Sequence, residues 1–174
     1  MNTASESSQI FANNLERLKQ AGDRQTLAEL RRFADGRPPS LSALSAIAKL
    51  GAPLDDPQGL SDCQLVAGLF AFYNRGTTPE EHPRGDFGWS FGSLAVANLD
   101  SKGPQRLFGV LLEARREDLA EQLRRAISLL HAKGIPVDWA LLLDAVKRWG
   151  NFDHVIQDSW ALSFVRLTNK KEVI

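Results

Sequence analysis

The chain has 174 residues, 43% of them apolar, and its 21 Lys and Arg balance 21 Asp and Glu. That length suits one domain or two small ones at roughly 150 residues each, and the apolar content with zero net charge excludes a disordered tail. A single cysteine, Cys63, excludes a disulfide scaffold and a Cys-based zinc site; no apolar run approaches the ~18–20 residues of a membrane span. The segment Met1 to Ser8 is polar, with no basic or apolar stretch of the signal-peptide kind, so a soluble cytoplasmic protein is expected. Leu (25) and Ala (20), strong helix formers, far outnumber Val, Ile and Thr (19 together), and no segment alternates like a strand. The composition therefore predicts an all-α protein.

The first predicted helix runs from about Ser8 to Lys19, with Phe11, Leu15 and Leu18 on one face and Gly22 as its stop. Asp23 can accept backbone N–H bonds at the start of a second helix, which ends near Ala34 before Gly36, Pro38 and Pro39. A third covers Leu41 to Leu50. The Asp-, Pro- and Gly-rich stretch Leu54 to Leu60 reads as a loop, and Ser61-x-x-Gln64 as a capping box opening an apolar helix through Tyr73.

Asn74 to Gly92, with four Gly and two Pro, reads as a long mobile loop and as the natural domain boundary, followed by a short helix near Ser93 to Leu99. Gly103-Pro104 opens a helix carrying Leu107, Phe108, Leu111 and Leu112. The next, about Asp118 to Lys133, closes at Gly134. Pro136 and Asp138 lead into Trp139 to Trp149, stopped by Gly150, and a last helix carries Ile156, Trp160, Phe164 and Leu167 before a frayed tail, Thr168 to Ile174. The expectation is eight or nine helices in two lobes: residues 1–100 as an N-terminal helical lobe and 101–174 as a C-terminal bundle.

Zero net charge hides local imbalance. Residues 57–101 hold two basic residues against five acids, whereas residues 102–150 hold nine against six. At about 100° per residue, Arg24, Arg31 and Arg32 fall within a sector of roughly 100° on the second helix, opposite Leu27, Leu30, Phe33 and Ala34. A row of guanidinium forks suits phosphate, since each can donate two bonds to phosphate oxygens. Arg124 and Arg125 lie on the polar side of their helix with Glu117, Asp118 and Glu121 as candidate ion-pair partners, and Arg106 lies one helix earlier, near Lys102. Trp139, Trp149 and Trp160 fall on apolar faces and read as core; Trp89, in the expected loop, is left as a possible stacking platform.

Catalytic patterns are absent from the sequence. His82, His131 and His154 lie far apart, none with metal-ligand spacing to a second ligand. Asp86-Phe87-Gly88 spells a kinase tripeptide without the other kinase elements, and no Walker loop or G-x-S-x-G occurs. Cys63 opens an apolar helix and reads as core. No enzyme activity, metal or cofactor is expected.

Several segments taken in order resemble a known family: Gly22-Asp23 with Leu27-Ala28-Glu29-Leu30-Arg31-Arg32; Ser90-Phe91-Gly92; Arg106-Leu107-Phe108 with Leu111-Leu112; and Gln122-Leu123-Arg124-Arg125. Pro136-Val137-Asp138-Trp139-Ala140-Leu141-Leu142 with Trp149-Gly150, and Phe164-Val165 to Thr168-Asn169-Lys170, complete the set. The ordered whole resembles the CasB-type small subunit of the type I-E CRISPR effector complex Cascade, over roughly residues 10–170 and without the loop Asn74 to Gly88. The resemblance implies two helical lobes and no catalysis. It implies two copies of the subunit head to tail, in contact with the backbone subunits and the large subunit, holding guide RNA, target DNA and the displaced strand of the R-loop.

On matching positions it implies phosphate contact for Arg31, Arg32, Arg106, Arg124 and Arg125; Arg24 and Lys102 join them from their placement beside these residues. Relatives that are basic after the Trp-Gly pair differ from this chain, which reads Asn151-Phe152-Asp153-His154. Two other readings remain. A helix-turn-helix regulator would need a polar recognition helix, and Leu41–Leu50 and Trp139–Trp149 are too apolar for one. A protein–protein adaptor would direct the same arginines at acidic partners.

Overall fold

The computed structural model describes residues 3–76, 82–98, 101–150 and 153–169, and among them the chain forms nine α-helices and no strand. They are α1 (Glu6–Gln20), α2 (Arg24–Ala34), α3 (Leu41–Lys49), α4 (Pro57–Tyr73), α5 (Phe87–Ala97), α6 (Gly103–Leu112), α7 (Leu119–Lys133), α8 (Trp139–Arg148) and α9 (Val155–Asn169). The helices group into two compact units. One comprises residues 3–78 with Trp139–Lys147; the other comprises Pro79–Asp138 with Arg148 onward.

The first unit is built on the close approach of α2 to α4. A methyl group at Gly68 of α4 would lie 2.5 Å from the backbone nitrogen of Ala34 and 3.0 Å from Phe33 Cβ, so only glycine lets the two backbones meet there. Around that crossing Leu15, Leu30, Ile47, Val66, Leu69 and Phe70 are fully buried. Helix α8 joins this unit from far along the chain. Trp139 packs edge-on against Phe70 at 5.3 Å and Tyr73 at 5.6 Å between ring centroids. Cys63 is core, as its apolar setting suggested, and burial pushes its thiol up to about 11 despite Lys147 nearby.

The start of α1 is tied to α8 by one carboxylate. Asp144 accepts bonds from the Ser5 N–H (2.5 Å), the Ser5 hydroxyl (2.6 Å) and the buried Ser8 hydroxyl (2.6 Å). Lys147 Nζ donates to Ser8 Oγ at 3.0 Å. Burial alone would raise the Asp144 pKa, but these bonds and the Lys147 charge outweigh it and hold it below the usual carboxylate value.

The second unit rests on α5 against α9. A Cβ at Gly88 would fall 2.7 Å from the Trp160 Cα, and one at Gly92 would fall 3.1 Å from Leu167 Cβ, so α5 presents a small-residue face to α9. Rings fill the remainder. Phe91 stacks on Phe108 (5.1 Å), Phe108 on Phe164 (5.0 Å), and Phe87 and Trp149 lie against Trp160 (4.9 and 5.1 Å). Asp86 caps α5 by accepting from Trp89 N–H (3.0 Å), and its second oxygen accepts from Ser163 (2.9 Å) and Ser159 (3.4 Å) of α9.

Three element expectations are corrected. Residues 57–60, expected as loop, form the first turn of α4: Pro57 occupies its start, where the missing N–H costs nothing, and Asp56 rather than Ser61 is the N-cap residue. Residues 87–92, also expected as loop, are helical, because their glycines serve close packing on α9 rather than chain reversal, so α5 begins well before Ser93. Thr168 and Asn169 are helical rather than frayed. Residues 77–81 of the expected mobile loop, Leu99, and residues 170–174 of the tail lie outside the described residues.

Asp144→Ala leaves the buried Ser8 hydroxyl without its acceptor and is expected to cost about 1–3 kcal/mol in urea unfolding at pH 7. Because the folded Asp144 pKa lies below the unfolded value of about 3.9, this contribution is complete above that pH and fades as pH falls through the folded value. The gap between wild type and variant therefore narrows toward pH 3; equal stabilities at pH 7 would contradict the assignment.

Candidate nucleic-acid interface

Basic residues on α2 take their positions from its cap and its buried face. Asp23 accepts from the Thr26 N–H (2.9 Å) and hydroxyl (2.7 Å), bonds that lower its pKa and turn its charge onto its own helix end. Leu30 is fully buried, which fixes the rotation of α2. Arg24 is then exposed and Arg31 half-buried, and among the described residues neither has an ion pair.

Arg32 is placed differently. It is half-buried, its Nε 3.9 Å from the Glu29 carboxylate and its Nη2 3.5 Å from the Pro38 carbonyl. Glu29 also accepts from Ser40 Oγ at 2.7 Å, the residue that caps α3. Arg32 thus helps close the turn between α2 and α3, and it offers less of its fork to a ligand than Arg31 does.

Arg37 was not among the residues singled out from the sequence. Its N–H bonds the Arg32 carbonyl at 3.1 Å, which folds the exposed Arg37 back over the last turn of α2. The Gly36-Arg37-Pro38 context marks a turn but carries no helical periodicity, so a helical wheel cannot place it.

In the second unit Lys102 and Arg106 stand at the start of α6, one turn apart, both exposed and without an ion pair among the described residues. Arg124 and Arg125 are exposed on α7, whose opposite face buries Leu123, Ala126, Ile127 and Leu130. Arg125 pairs with Glu121 one turn earlier, the partner its spacing suggested. Such an exposed pair contributes about 0.3–0.5 kcal/mol, so it yields readily to a phosphate. Helices α6 and α7 pack on each other, which gathers these four residues in one unit, while Arg24, Arg31 and Arg32 belong to the other.

Other chemistry is sparse. Among the described residues no group of three His, Cys, Asp or Glu side chains could hold a metal, and no helix is long and apolar enough to cross a membrane. Trp139, Trp149 and Trp160 are buried, as expected. Helix α8 buries Trp139, Ala140, Leu142, Leu143, Ala145 and Val146, six of its ten residues, in keeping with its apolar sequence.

The profile of the family described as CRISPR-associated protein Cse2 (CRISPR_cse2) matches residues 26–164. No curated protein matches the chain. Among solved structures, CasB of M. ruber is 26% identical, with 98% of each chain covered and a TM-score of 0.79. CasB of Thermus thermophilus is 26% identical over 93% of this chain and 99% of that one, with a TM-score of 0.73. A chain of a CRISPR RNA-guided surveillance complex, 18% identical over 95% of this chain and 96% of that one, shares the fold with a TM-score of 0.77.

If Arg24 and Arg106 are available rather than structural, Arg24→Ala and Arg106→Ala change stability by less than about 0.5 kcal/mol. Arg32→Ala, which removes a bond to the Pro38 carbonyl and leaves Glu29 without its cation, is expected to cost about 0.5–1.5 kcal/mol. Thermal unfolding of the three variants checks the contrast.

Proposed function

The chain belongs to the CRISPR-associated Cse2 family, and from that premise we propose that it is the non-catalytic small subunit of a type I-E Cascade surveillance complex. In this role it grips sugar-phosphate backbone without reading sequence and stabilises the R-loop of guide RNA, target strand and displaced strand. Its partners are the large and backbone subunits, a second copy of itself arranged head to tail, guide RNA and target DNA; its place is the cytoplasm. The surveillance-complex chain that shares its fold supports this reading.

The observation that carries the proposal is that Arg24, Arg31, Lys102 and Arg106, all at positions of the basic groups on α2 and α6, are exposed or half-exposed and have no ion pair among the described residues, on a chain of zero net charge. Arg124 and Arg125 add exposed guanidiniums on α7, and Arg32 adds part of one on α2. Each phosphate contact supplies salt-dependent affinity indifferent to sequence. Exchange of a DNA duplex for a guide–target heteroduplex is nearly balanced, so a few such contacts tip it. A neutral protein with local basic clusters has little long-range attraction for nucleic acid by itself, which suits a subunit that larger neighbours hold in position.

Charge reversal tests the reading. The pairs Arg31→Glu with Arg32→Glu, and Arg124→Glu with Arg125→Glu, are each expected to weaken target binding by the assembled complex about tenfold or more at low salt. Subunit incorporation should stay intact on size exclusion. Unchanged R-loop stability in both reversals would contradict the proposal.

A further inference from the structure

A small pocket in the second unit joins two cations to an indole. Arg84 and Gly85, just before α5, Trp89 on α5, and Ser163, Arg166 and Leu167 on α9 line a cavity of about 250 Å³. None of these residues belongs to the clusters on α2, α6 and α7.

Its floor is built. Asp86 ties the Trp89 N–H to the Ser163 hydroxyl across the α5–α9 contact, so the first turn of α5 is fixed on α9. A side chain at Gly85 would press against Trp89, 2.9 Å from its Cβ and 3.0 Å from its Cγ; glycine there lets the chain lie against the root of the indole. Trp89 is half-buried, unlike the three other tryptophans, which are core. Its ring has no aromatic partner among the described contacts, whereas Trp139, Trp149 and Trp160 each pack on another ring. Arg84 and Arg166 are exposed and form no ion pair among the described residues.

Two guanidiniums without ion pairs among the described residues line one cavity with a half-buried indole, a combination that suits a ligand anionic at one end and flat at the other. The geometry points to a subsite for one unpaired nucleotide of a single strand, its base on the Trp89 indole and its phosphates on Arg84 and Arg166. The cavity is smaller than the ~300–1,000 Å³ that drug-sized ligands fill, which matches one planar ring rather than several. A base paired in a duplex has no free face to offer, so the subsite selects single strands; stacking tolerates any base, because each has a π-face. An acidic peptide would satisfy the arginines but leave the indole unused. The inference rests on the nucleic-acid reading above and adds to it a preference for unpaired strand that the basic clusters alone do not supply.

The test uses the purified full chain and a labelled oligo-dT strand, followed by fluorescence anisotropy beside a duplex of the same length. Trp89→Ala is expected to weaken single-strand binding about 5- to 150-fold, Trp89→Phe much less, and duplex binding should move less than about twofold in both. Arg84→Gln with Arg166→Gln, two exposed positions that leave the core untouched, should weaken single-strand binding and lower its log–log salt slope by about 1.4, at ~0.7 per lost phosphate contact. If Trp89→Ala does not melt like wild type, the double glutamine variant decides. Single-strand affinity unchanged in a folded variant, equal losses for single strand and duplex, or equal competition by a polyglutamate peptide would each overturn the subsite. Failure of the reversals on α2 and α7 would leave the Trp89 dependence standing, so the two readings fail separately.

Discussion

A guanidinium on a protein surface with no carboxylate beside it must find its anion in solvent or in a partner. This constraint governs the account. Arg24 and Arg31 on α2 and Arg106 on α6 lack ion pairs among the described residues, although acids equal bases over the whole chain. Several of those acids are already engaged elsewhere. Asp23 caps α2, Asp86 caps α5 and binds α9, Asp144 ties α1 to α8, and Glu29 bonds Ser40. Acids that serve as caps and ties spend their hydrogen-bonding capacity inside the fold, and the cations are left facing outward.

The scaffold that holds these cations depends on close helix crossings. Gly68 brings α4 against α2, and Gly88 brings α5 against α9, at distances that a methyl group would forbid. Each crossing fixes the rotation of a helix about its axis. In α2 that rotation buries Leu30 and turns Arg24 outward; in α5 it buries Phe87 and Phe91 and leaves Trp89 half-open beside Arg166. Packing and surface chemistry are thus set by the same contacts.

Much of this was legible in the chain. Leu and Ala content gave the all-α class, and the 3.6-residue spacing of Leu119, Leu123, Ile127 and Leu130 placed α7 to within a residue. Asp23 announced α2, and Gly134 ended α7 in a left-handed conformation. Glycine and proline marked the stops at Gly22, Gly51, Gly134 and Gly150, but their reading as breakers failed over residues 57–60 and 87–92. Pro57 and Gly59 lie in the first turn of α4, and Gly88 and Gly92 in the middle of an apolar contact, because a missing side chain serves close approach as well as turning. The same misreading placed Trp89 in a loop. Inclusion of α8 with α1–α4 could not be read locally either, since Trp139 meets Phe70 and Tyr73 across the whole of α5, α6 and α7. On α2, a helical wheel grouped Arg32 with Arg24 and Arg31 but could not show that it bonds Pro38, since that contact depends on the turn beyond the helix.

The most direct measurement is the salt dependence of target binding by the complex assembled with and without this chain. Plotted as log affinity against log salt, each backbone contact to duplex adds about 0.9 to the slope. A slope steeper by several units is expected when the chain is present, with higher affinity at low salt. Equal slopes would mean that the cations do not meet phosphate, which would contradict a backbone-gripping role for this chain.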